Sequence, residues 1–71
     1  MSEIVFVIEE DELDGGYIAR ALGHGITTQA ETIPELKLMI ADALRCHFDS
    51  DADIPKIIRL HYIKDEVLAL V

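Results

Sequence analysis

The sequence predicts an α+β fold of β-β-β-α-β order, a mainly antiparallel sheet with one helix packed on one face. Three observations predict it. Thr32 to Phe48 is long and periodic enough to be a full helix, with Ile33, Leu36, Ile40, Ala43, Leu44 and His47 on one stripe that Leu38 and Met39 widen. Shorter β-branched and aromatic runs stand before and after it. Glycine-rich breaks separate those runs. A lone helix cannot bury its stripe against itself, so it must lie on a sheet.

Ile4 to Ile8 is the first strand. Ile4, Phe6 and Ile8 line one face while Val5 and Val7 line the other, so both faces want cover, as in a central strand. Glu9 to Gly16 is a turn in which Asp14-Gly15-Gly16 supplies the positive φ angles of a hairpin. Tyr17 to Leu22 returns antiparallel. After Gly23-His24-Gly25, Ile26 to Glu31 alternates apolar and polar residues, which suits an edge strand.

The helix then opens on a capping box, Thr32 with Glu35, and Pro34 sits in the first turn where its missing N–H costs nothing. Asp49 to Pro55 is a polar link, because acids just past Phe48 oppose the helix dipole. Lys56 to Ile63 is the fourth strand, with Ile58, Leu60 and Tyr62 on one face. Val67 to Val71 reads as a short fifth strand or as an extension of the fourth. A right-handed helical crossover places the fourth strand beside the first and parallel to it, giving the order 3-2-1-4.

The chain has 71 residues, read as one domain over 1–71. Domains this small bury only about 60% of the surface their unfolded chain exposes. Yet 51% of the residues are hydrophobic, and one helix covers one face only. Val5, Val7, Leu68, Leu70 and Val71 are left without a host, which predicts a homodimer or another protein partner. The net charge of −8, from fourteen acids against six bases, argues against direct nucleic-acid binding and favours a basic protein partner. Glu9, Glu10, Asp11 and Glu12 are the contact residues such a partner would meet. The one cysteine, Cys46, allows no internal disulfide, which points to the cytoplasm. The apolar run near the N-terminus is too short for a signal peptide or a membrane span.

No cluster of residues predicts catalysis, a cofactor or a metal. Asp49-Ser50-Asp51-Ala52-Asp53 opens like a calcium loop, but Ile54 and Leu60 stand where Gly and Glu are needed. Cys46 and His47 are adjacent on a helix and diverge by about 100°, so they cannot chelate one ion together. Gly23-His24-Gly25 lacks phosphate-loop spacing and leads into a strand.

Several segments in fixed order carry a resemblance: Ile8 to Glu12, Gly15-Gly16-Tyr17-Ile18-Ala19-Arg20, Gly25 to Thr32, and Pro34-Glu35-Leu36 into Ala41-Asp42-Ala43-Leu44. Together they resemble the HicB antitoxin family, a partial RNase H-like fold, over roughly residues 4 to 48. The resemblance implies a non-catalytic protein that neutralises a small basic RNA-cleaving toxin. The chain departs from the family in a short loop at Leu22 to Gly25, and in Ala30 where glycine is common. It shows no segment after Val71 of the DNA-binding kind that many members carry, so operator binding is not expected. Ile4 to Ile8 and Ile57 to Ile63 hold no acids, which argues against a divalent-metal nuclease. The chain is also similar to small proteins labelled as a 2-oxoisovalerate dehydrogenase subunit, a label that fits poorly because a thiamine-diphosphate enzyme needs a cleft between large domains. The competing expectation is a homodimeric structural or regulatory protein of the same fold without a toxin partner.

Overall fold

The computed structural model describes residues 2–70. Four strands, β1 (Glu3–Glu10), β2 (Tyr17–Ala21), β3 (Thr27–Ala30) and β4 (Ile57–Tyr62), surround the helix α1 (Ile33–His47) in the chain. They form one mixed sheet in the order β3-β2-β1-β4. β1 runs antiparallel to β2 and parallel to β4, and β2 runs antiparallel to β3. The expected α+β topology and strand order are therefore observed.

The pattern within β1 explains its central place. Ile4, Phe6 and Ile8 point to the helix side and are exposed by 2% or less, while Val5 and Val7 lie half-buried on the other face. Opposite Phe6 and Ile8 on β2 stand Ala21 and Ala19, both buried. Their small side chains leave room for Leu36, Ile40 and Leu44 of α1, which complete an entirely apolar core with Ile26. No polar or charged side chain is buried among the described residues.

The helix begins where local chemistry places it. Thr32 is extended (φ −128°, ψ 159°), and its hydroxyl accepts a hydrogen bond from the Glu35 N–H at 3.3 Å. Among the described residues this is the formed half of the capping box; the carboxylate of Glu35 makes no return bond. Only Glu31 and Thr32 separate β3 from α1. So short a link sets the helix over β3 and β2 rather than across the whole sheet. β4 is consequently less covered: Ile58 and Tyr62, on the helix side, are 40% and 49% exposed.

The offset also narrows the helix stripe. Leu38 and Met39 do not widen it, because they turn outward and are exposed, and His47 is exposed as well. The link after the helix is partly ordered: the Ser50 hydroxyl accepts from the Ala52 N–H, starting a short 3₁₀ turn over Asp51–Asp53. Lys56 and Ile57 then donate to the side chain and carbonyl of Ser2, which starts the β1–β4 register.

Strand ends differ modestly from expectation. β1 extends through Glu9 and Glu10, so the turn proper is shorter, and Leu22, Ile26 and Glu31 fall outside their strands. The fifth strand is a correction. Residues 64–70 pair with no strand among the described residues, and Val67, Leu68 and Leu70 are 93%, 85% and 95% exposed. The Ile63 N–H still donates to the Ile8 carbonyl, and beyond that point β1 has only Glu9 and Glu10 before it turns at Asp11, too little to pair residues 67–70. The projecting segment elongates the molecule to 55 × 24 × 19 Å. Val71 lies outside the described residues.

Candidate functional site

The β1–β2 turn is the most strongly shaped polar surface of the molecule. The Asp11 carboxylate accepts from the N–H groups of Leu13 and Asp14 at 3.1 and 3.3 Å, forming an Asx-type turn. The Asp11 carbonyl accepts from the Gly15 N–H, and the Asp11 N–H donates to the Gly16 carbonyl. Gly15 and Gly16 have φ of +78° and +80°. At Gly16 a side chain is impossible without movement, since a Cβ would lie 2.5 Å from the Ala30 carbonyl oxygen of the neighbouring β3. The turn is thus locked both within itself and against the sheet.

This fixed turn presents Glu10, Glu12 and Asp14 outward, with Glu9 half-buried at its root. Asp11, which is half-buried, spends its carboxylate on the turn itself and is the structural member of the group. Glu9 is tied to Arg20 across the strands at 3.6 Å. Two shallow open depressions flank the turn. One, of about 300 Å³, is lined by Glu9 to Leu13 with Ile18, Ile63, Lys64 and Asp65. The other, of about 320 Å³, lies between Asp11, Asp14, Tyr17, Glu31 and Glu35. Sequence reasoning missed Leu13. It stands at the tip of the acidic turn, 95% exposed. The signal was present: a leucine inside a turn belongs to neither strand face and has no intramolecular host.

Val5 and Val7 lie on the sheet face away from the helix. Register places Arg59 and His61 of β4 beside them on one side, and Arg20 of β2 beside Val7 on the other. Arg59 donates to the Glu3 carboxylate, and that hydrogen bond, followed by the charge of Glu3, raises the pKa of the guanidinium above its usual value. The open face is therefore interleaved apolar and charged rather than uniformly apolar. Leu68 and Leu70 sit on the projecting segment, away from Val5 and Val7, so the four apolar candidates make two separate surfaces.

The histidines do not join the acids. His24 packs edge-on against His47 at 5.7 Å between ring centroids, with Phe48 against both. Cys46 is exposed and unpaired. No three of His, Cys, Asp and Glu converge as metal ligands among the described residues. No helix is long and apolar enough to cross a membrane among those residues.

Fold and surface together define the class: a small α+β protein with a β-β-β-α-β sheet, an apolar core and an acidic turn held open at one end. The chain belongs to the UPF0150 family. It is 46% identical over 68 residues to a UPF0150 protein of Thermotoga maritima, covering 96% of this chain and 93% of that one. It is 50% identical over 54 residues to a UPF0150 protein of Archaeoglobus fulgidus, covering 76% and 77% of the two chains. No protein-family model and no solved structure matches the chain.

Proposed function

We propose that this chain is a non-catalytic protein-interaction module, working as a homodimer, that receives a small basic protein on its acidic turn. The HicB-like resemblance gives that partner a character: an RNA-cleaving toxin held inactive by the complex. The single observation that carries the reading is the turn itself. The carboxylates of Glu10, Glu12 and Asp14 are exposed, and the turn's backbone is fixed by Asp11 and Gly16. Exposed charge on a rigid frame suits long-range attraction and orientation of an oppositely charged surface. Leu13, projecting from the middle of those charges, supplies the apolar contact that electrostatics alone does not.

The test is binding to a small basic protein encoded beside this gene, with Glu10→Gln, Glu12→Gln and Asp14→Asn combined. These residues lie outside the core, so the fold should survive. Affinity should fall at least about 10-fold, with most of the loss in association rate and a flatter salt dependence. Binding that ignores both the substitutions and the salt would remove the acidic turn from the interface.

A further inference from the structure

We infer that residues 64–70 are a dimerisation strand, which pairs antiparallel with the free edge of β4 in a second copy of this chain. The inference deepens the homodimeric part of the proposed function by naming its surface.

Both halves of such a contact are on the molecule. β4 is the outermost strand, hydrogen-bonded to β1 on one side and, among the described residues, to no strand on the other. Its helix-side residues Ile58 and Leu60 border a shallow apolar groove with Ile40 and Ala41, which α1 leaves uncovered because it sits over β2 and β3. After the charged residues 64–66 that follow β4, Val67, Leu68 and Leu70 stand almost fully exposed, with no cover from their own chain among the described residues. An unpaired edge and an unpaired apolar segment on one chain are complementary between two copies.

The segment does not serve its own β4. Folding back would need a tight hairpin, and such turns require positive φ. Positive φ occurs only at Gly15, Gly16 and Gly23 among the described residues, and none lies between Ile63 and Val67. The molecule instead extends to 55 Å along one axis.

Charge fixes the direction. The basic residues Arg59 and His61 lie on β4, and the acidic residues Asp65 and Glu66 follow it. Antiparallel pairing about a two-fold axis near Ile63 puts Asp65 of one copy opposite His61 of the other and diagonal to its Arg59. A parallel, in-register pairing would set Asp65 beside Asp65 and Glu66 beside Glu66. An axis normal to the sheet also keeps residues of equal parity on the same face. Leu68 and Leu70 then fall on the helix side, Leu68 opposite Ile58 of the second copy and Leu70 opposite Lys56, just before its β4.

The experiment is sedimentation of the full chain at about 10 µM, a concentration at which a specific self-association of ordinary strength is populated. The expected result is a dimer with slowed hydrogen exchange at the amides of 67–70. Leu68→Asp combined with Leu70→Asp should weaken it about 100-fold, because two leucines lose their burial. The circular dichroism of the fold should not change, since neither side chain touches the core. Asp65→Arg combined with Glu66→Arg should weaken it independently, by setting one positive charge opposite His61 and another opposite the apolar Leu60. A dimer unmoved by either double variant would overturn the inference, as would a monomeric wild type. A monomer that still takes the basic partner would sink this inference and the homodimer but leave the proposed partner, whereas a tail-dependent dimer that takes none would sink only the proposed partner.

Discussion

β1 and β4 lie side by side in parallel register, with Ile4 beside Ile58, Phe6 beside Leu60 and Ile8 beside Tyr62. Both strands are rich in large apolar residues. On the same sheet face, however, the β1 members are sealed while Ile58 and Tyr62 are 40% and 49% exposed. The difference does not come from residue type. β1 has a strand on each flank and the helix above, whereas β4 has one neighbour and a helix displaced by a two-residue link. Burial is a property of place, and hydrophobicity left exposed by place is available to another surface.

That contrast can be broken most severely at Phe6. Phe6→Ala should cost about 3–5 kcal/mol, out of a total stability on the order of 4–10 kcal/mol for a chain this size; urea or thermal melting followed by circular dichroism should show a largely unfolded protein. Its register neighbour is the sharper probe. Leu60→Ala, at a half-covered position, should cost roughly 1–2 kcal/mol, and a loss equal to that at Phe6 would deny that β4 is underpacked. Thr32→Ala should remove about 1 kcal/mol through the lost cap, read from the same melts. It tests whether the helix is held in its offset position partly by its own first turn. The smallest effect belongs to the projecting segment: Leu68→Asp should shift monomer stability by less than about 0.5 kcal/mol, measured at concentrations too low for self-association.

Much of this was legible in the residues. The double apolar face of Ile4 to Ile8 marks a central strand, the handedness of the crossover puts β4 beside it, and Thr32 with Pro34 fixes the helix start. What was not legible depends on distances between elements. Leu38 and Met39 belong to a helical stripe only if the sheet extends beneath them, and the displacement of α1 removes it. Val67 to Leu70 has the composition of a strand, but composition does not say whether a partner strand exists within reach. At the acidic turn, Glu9 to Glu12 were visible as a charged loop. The division between Asp11, which builds the turn, and Glu10 and Glu12, which face outward, needs the hydrogen bonds. Leu13 escaped because turn residues are judged by polarity, and its exposure follows from backbone geometry.

The pairing of Glu3–Ile8 with Ile57–Tyr62 also sets a timetable. The chain's earliest strand waits for its latest as both neighbour and support, so during synthesis the β1–β2 hairpin can form while one flank of β1 remains bare. Until residues 57–62 emerge from the ribosome, the nascent protein carries an open, sticky ribbon, and the interval before that moment is when it is most vulnerable to chaperone capture or to mispairing with a neighbouring nascent chain.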